Sequence, residues 1–119
     1  MADTSSLVQF EQLVLTAVLS LEDKAYGVTI HQKVEALAHP KPAALGAVYV
    51  TLDRLEDKKL IQSKLSDPTP ERGGRAKRFY RLSEKGERAI KEAAATARRM
   101  CDVIETTWGE GAWKPARTR

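Results

Sequence analysis

Apolar residues recur along this chain in two periods, and the change from one to the other predicts the order of its elements. From Leu7 to Leu21 the positions Phe10, Leu13, Val14, Ala17, Val18 and Leu21 form one broad face at helical spacing. That spacing predicts a first helix ending near Leu21, with Ser6 placed to cap it. Glu22-Asp23-Lys24 breaks the pattern. A second helix is predicted from near Tyr26-Gly27 to about Ala38, burying Val28, Ile30, Val34 and Leu37 in part. His39-Pro40-Lys41-Pro42 stops it, because proline cannot continue a helix and restricts the residue before it. Leu45, Val48, Leu52 and Leu55 then make the stripe of a third helix within residues 43–61.

After Leu60 the period falls to two. Ile61–Leu65 and Arg78–Leu82 both alternate, which predicts a two-stranded hairpin. Asp67-Pro68-Thr69-Pro70 leaves the first strand, and Gly73-Gly74 supplies a flexible tip. Ser83 is placed to cap a last helix running to about Thr107, with Gly109 ending it. The fold class that results is mainly α with a small β-hairpin. It is a winged helix-turn-helix over residues 7–82, a C-terminal dimerisation helix over 83–108 and a flexible tail over 109–119.

The third helix has an unusual second face. Ala44, Ala47, Thr51 and Arg54 lie away from the apolar stripe, with Gly46, Tyr49 and Val50 at the margins. Small side chains let a helix lie close to another body, and alanine and threonine methyls suit thymine methyls in a major groove. Arg54 has the reach for a guanine edge or a phosphate. The bland alternative is a surface helix rich in alanine. Asp53, Glu56 and Asp57 share the helix and would repel DNA if they faced it, so Asp53 and Asp57 are expected to turn away from Arg54.

Charge shifts that balance. The net charge is +4, but residues 1–60 carry six Lys/Arg against eight Asp/Glu, whereas residues 61–119 carry fourteen against eight. The run RGGRAKRFYR from Arg72 to Arg81 holds five cations and no acid. Beside two glycines and two aromatics, such a run suits a polyanion. Arg72, Arg75, Lys77 and Arg78 are therefore candidates for flanking phosphates or a narrow minor groove. A solvated hairpin tip is the alternative.

The last helix shows a seam. Ile90, Ala94, Ala97, Cys101, Ile104 and Trp108 alternate by four and three, and Ala93, Met100 and Val103 widen the stripe. A helix protruding from so small a domain has little else to bury it, so the seam predicts a homodimer. Two copies on a twofold axis would read both halves of a palindrome.

Three phrases in this order, FEQLVLTAVLSLEDKAYGVTI, LGAVYVTLDRLEDKKLI and TPERGGRAKRFYRLSEKG, resemble the PadR family of bacterial transcriptional regulators from about Phe10 to Gly86. The resemblance implies a cytoplasmic homodimer that binds palindromic operator DNA, usually as a repressor. It further implies release by a small molecule held in a hydrophobic space between the first and last helices. The closing helix is short, as in the smaller branch of that family. Phe10, Val14, Met100, Ile104 and Trp108 are the candidate walls of that ligand pocket, with ordinary dimer packing as the alternative. The family motif places a tyrosine at Tyr49, whose hydroxyl would bond a phosphate; a core ring with its hydroxyl at the surface is the other reading. Where similar proteins usually carry glycine before the first strand this chain has Lys59, so another turn geometry is expected there.

Other classes fare worse. His31 and His39 stand eight apart without a second cysteine or a metal-spaced carboxylate set, and Gly73-Gly74 lacks the setting of a phosphate loop. No enzyme, metal or cofactor is expected. One cysteine excludes a disulfide framework, and a buried inert thiol is expected at Cys101 rather than a redox sensor. MADTSS does not resemble a secretory signal, and polar residues interrupt the longest apolar run, so no membrane partner is expected. The partners expected are double-stranded DNA, a second copy and a small-molecule inducer. The rival is a winged-helix protein-interaction module without specific DNA binding, and RNA ranks last because an A-form major groove does not admit this helix.

Overall fold

A computed structural model describes residues 7–66 and 76–108. Helices α1 (Gln9–Leu21), α2 (Gly27–Ala38) and α3 (Leu45–Asp57) precede strands β1 (Ile61–Leu65) and β2 (Arg78–Leu82), and α4 (Glu84–Trp108) closes the chain. A single 3₁₀ turn, Glu22–Lys24, links α1 to α2. The strands pair antiparallel with Ile61 opposite Leu82 and Leu65 opposite Arg78. The outer edge of β2 is covered too: Tyr80 N–H donates to the Ala25 carbonyl at 2.9 Å, and Tyr26 bridges Phe79. The hairpin is thus anchored to the entrance of α2, and its base cannot swing freely.

The core is built on α1. Val14, Leu15, Ala17 and Val18 are buried against Ile30 and Val34 of α2, Val48, Leu52 and Leu55 of α3, and Ile61 and Tyr80 of the hairpin. Leu15 was not on the expected apolar face, yet it is fully enclosed, because α1 is covered on more than one side. Conversely Leu45, expected on the α3 stripe, is 40% exposed in the first turn, where α3 has not yet reached the core. Val28 and Leu37 are also exposed, so Ile30 and Val34 carry the packing of α2.

The start of α1 and the end of α3 are held together by side chains. Helix α1 begins at Gln9 with Val8 in the cap position, not Ser6, which lies outside the described residues. Glu11 satisfies the Val8 N–H at 3.2 Å and, although only 3% exposed, receives the Lys58 ammonium at 2.9 Å. A carboxylate so enclosed is tolerated because both oxygens have donors. This pair ties the start of α1 to the end of α3.

The turn after α3 corrects the expectation drawn from Lys59. Lys59 takes the left-handed conformation at φ 68 that a glycine would favour. Leu60 N–H donates to the Leu55 carbonyl at 3.0 Å and Lys59 N–H to that of Glu56 at 2.9 Å, a Schellman cap. The geometry survives because the next elements grip it. Ser83 Oγ donates to the Lys59 carbonyl at 2.7 Å, Ser83 N–H to that of Leu60 at 3.0 Å and Lys85 Nζ to that of Lys58 at 3.2 Å. Lys59→Gly should therefore raise unfolding free energy by about 0.5–1 kcal/mol in urea titrations with the m-value unchanged.

Helix α4 starts as expected, with Ser83 Oγ accepting the Gly86 N–H at 3.0 Å. Its first turns pack on the domain through Gly86, Ala89 and Ile90, and Lys85 adds its bond to the Lys58 carbonyl. From Thr96 to Trp108 every residue is exposed. The tail proposed for 109–119 lies outside the described residues.

Candidate nucleic-acid interface

Helix α3 presents a stripe shifted by one residue from the one expected. Gly46, Val50, Asp53 and Asp57 lie opposite the buried Val48, Leu52 and Leu55, with Ala47 and Arg54 along one flank and Tyr49 along the other. Thr51 does not belong to this surface. It is 5% exposed, because it stands three residues after Val48 and four before Leu55, on the shoulder of the core stripe. The expectation that Thr51 offers its methyl to a groove is therefore corrected. Asp57 does not turn away either, since three residues after Arg54 it is its surface neighbour; Asp53, directly before Arg54, lies about 100° round the helix but within the exposed stripe. The acid-free part of the stripe is its N-terminal half, Ala44 to Val50, all exposed except Val48.

Gly46 has open space around it: a methyl added there would meet no atom within 4 Å. Gly27 is the reverse. Its absent side chain makes room for the Tyr49 ring, whose hydroxyl end lies across the first turn of α2. Tyr49 is thus neither a core ring nor a free one. It is 43% exposed, with one edge pinned against α2.

The wing base stands beside this face. Tyr26 and Phe79 meet edge to face with centroids 5.4 Å apart, and the Lys77 ammonium sits 4.1 Å above the Tyr26 ring. That cation–π contact is worth roughly 0.5–1 kcal/mol at such a site, weak enough for a phosphate to compete. Arg78 Nη1 donates to Ser63 Oγ at 2.9 Å, and Ser63 Oγ donates to Glu56 Oε2 at 2.7 Å. Burial pushes the Tyr80 phenol above its ordinary range, with Arg78 opposing and Glu56, Asp53 and Tyr49 adding to the rise. These groups accordingly share one neighbourhood between α3 and the hairpin. Arg72, Arg75 and the Gly73-Gly74 tip lie outside the described residues.

Sequence spacing could have placed the shifted α3 stripe, since the residues opposite three buried ones follow from helical geometry alone. It could not have found the Glu56–Ser63–Arg78 chain, which joins three separate elements.

The closing helix divides in two. Ile90 packs half-buried on its own domain, whereas Ala94, Ala97, Cys101, Ile104 and Trp108 are exposed in the single chain. Cys101 is an exposed free thiol in the single chain. The five residues proposed as pocket walls do not converge within one chain. Val14 is enclosed in the core and Phe10 packs against it, while the apolar groove on α4 is lined by Thr96, Arg99, Met100, Val103 and Ile104. The separation follows from α4 running exposed from Thr96 onward, away from the enclosed part of α1. Among the described residues, no helix is long and apolar enough to cross a membrane.

Residues 15–92 match the sequence profile described as the transcriptional regulator PadR-like family. The chain belongs to that family. PadR-like proteins are DNA-binding transcriptional regulators rather than enzymes, and the winged fold seen here is theirs. A PadR family transcription regulator from Clostridium difficile superposes with a TM-score of 0.67 at 24% identity, over 84% of this chain and 99% of its own. A PadR-like transcription factor from Bacteroides fragilis gives 0.65 at 23%, over 82% and 87%. A PadR-like transcriptional regulator from Bacillus cereus gives 0.63 at 23%, over 84% and 92%. No curated protein matches the sequence. At these identities the solved structures speak for the fold, and the family profile carries the assignment.

Proposed function

We propose that this PadR-like chain acts in the cytoplasm as a homodimeric repressor of a palindromic operator, its α3 helices in successive major grooves. The observation that carries the reading is an α3 whose exposed N-terminal half is free of acids, with wing cations held near the same helix: Arg78 through Ser63 to Glu56, and Lys77 over Tyr26 next to the Gly27 on which Tyr49 rests. A helix N-terminus also carries positive dipole charge toward the phosphates. Ala44, Gly46, Tyr49 and Val50 would lie nearest the bases and backbone. Arg54 would reach past Asp57 to a base edge or phosphate. Lys77 and Arg78, with Arg72 and Arg75, would take the flanking backbone. Pairing along Ala94, Ala97, Cys101, Ile104 and Trp108 would set the half-site spacing, Ile90 continuing that line into the domain. A small apolar inducer would enter beside Met100 and Ile104, with Phe10 at the margin of the space, and alter the separation of the two wings.

The test is selection of bound duplexes from a random pool. A twofold-symmetric motif with half-sites about one helical turn apart is expected. Retention of no duplex at low salt, or enrichment of an asymmetric site alone, rejects the reading.

Gly46 gives a second check. In a helix, glycine costs about 1 kcal/mol relative to alanine, and nothing in the fold requires it here. Gly46→Ala should raise stability by about 0.5–1 kcal/mol. It should also weaken binding to the selected duplex by roughly tenfold, because the added methyl stands between backbone and groove floor. Unchanged affinity would place the groove contact elsewhere on α3.

A further inference from the structure

We propose that Glu56 and Ser63 are positioning residues for the DNA contact of Arg78. The inference rests on the DNA-binding reading above and adds an acidic residue to the machinery of a polyanion site. Ser63 Oγ has one proton and two lone pairs. Its proton is committed to Glu56 Oε2 at 2.7 Å, so a lone pair faces the guanidinium, which donates through Nη1 at 2.9 Å. One of the five N–H donors of Arg78 is used by this contact, and the side chain stays exposed. The remaining donors are presented in a fixed plane at the junction of α3 and the wing. A free arginine surrenders rotamer entropy when it meets a phosphate; a guanidinium already held surrenders less. Glu56 comes from α3, Ser63 from β1 and Arg78 from β2, so the chain also fixes the wing cation relative to the helix that enters the groove.

The proposal opposes simple electrostatics in sign. A carboxylate close to DNA repels it, and deleting one ordinarily tightens binding. Here deletion of the acceptor releases the Ser63 proton to compete for other partners, and Arg78 loses its orientation. The decisive measurement is affinity for a mixed-sequence duplex of about three helical turns, read across a salt series. Glu56→Ala and Ser63→Ala should each weaken binding by roughly fivefold with far-UV circular dichroism unchanged. Glu56→Gln keeps an acceptor for Ser63 while losing the charge, and Ser63→Thr keeps the hydroxyl, so both should restore affinity to at least the native level. Arg78→Ala should weaken binding and lower the salt slope by about one. In the Arg78→Ala background, adding Glu56→Ala should tighten binding, since only repulsion is then left to remove. Tighter binding by Glu56→Ala alone, or equal behaviour of Glu56→Ala and Glu56→Gln, overturns the inference. If the native protein retains no duplex at low salt, it is the DNA-binding reading that fails instead.

Discussion

Gly86→Ala will destabilise the chain by about 2–3 kcal/mol, although alanine for glycine within a helix ordinarily stabilises by about 1 kcal/mol. The sign follows from position. A methyl on Gly86 overlaps the Leu60 carbonyl oxygen, and that oxygen already accepts the Ser83 N–H at 3.0 Å. Neither partner is a flexible side-chain end. The turn of Lys58 to Leu60 is further held by Ser83 Oγ and Lys85 Nζ, so it cannot move away without breaking bonds made by its own neighbours. Relief must come from lifting α4, which strips Ala89 and Ile90 from the core. Urea titration of the native protein beside Gly86→Ala and Gly46→Ala decides the matter, because the same chemical change is expected to have opposite signs at the two sites. Equal or greater stability of Gly86→Ala would show that the close approach at Leu60 constrains nothing.

The periodic stripes are legible because helical spacing is a local property. Val14, Val18, Ile30, Val34, Val48, Leu52 and Leu55 all lie where the stripes put them. Ser83 is legible for the same reason, its hydroxyl meeting Gly86 three residues on. What escapes is anything fixed by a partner distant in sequence. Leu15 is enclosed because α1 is covered from several sides. Glu11 reads as a polar interruption until Lys58 arrives at 2.9 Å. Lys59 adopts a left-handed turn because residues of the β2–α4 junction hold the adjoining carbonyls. At the candidate interface the sequence singles out α3 and, in Lys77 and Arg78, cations that the fold sets near it, but not the face that α3 exposes. Thr51 shifts from groove to core by a single step of helical rotation, and Asp53 moves into the exposed stripe by the same step.

Ile104→Asp should abolish pairing of two copies and, with it, most of the affinity for a two-half-site operator. Met100, Val103, Ile104 and Trp108 are 57, 65, 46 and 46% exposed in the single chain, along the stretch of α4 from Thr96 that is exposed throughout. Large apolar groups contribute about 1.5–3 kcal/mol each when fully buried, so four from each copy supply on the order of 10 kcal/mol against the entropy of association. An aspartate at Ile104 removes part of that gain and would need a carboxylate to be desolvated, and twofold symmetry imposes both changes twice. A loss of about three orders of magnitude in pairing strength is expected. Because Ile104 contributes little to the fold of one chain, the unfolding midpoint of the isolated domain should stay where it was. Sedimentation at micromolar concentration should show the native protein at twice 13.2 kDa and the variant at 13.2 kDa. Operator affinity should fall by about 10²–10⁴, the gain from linking two half-site contacts, while binding to a lone half-site is unaltered. A native protein sedimenting at the single-chain mass would break the link between the seam and the twofold site. So would a variant that keeps its operator affinity, because one winged domain would then be reading the DNA unaided.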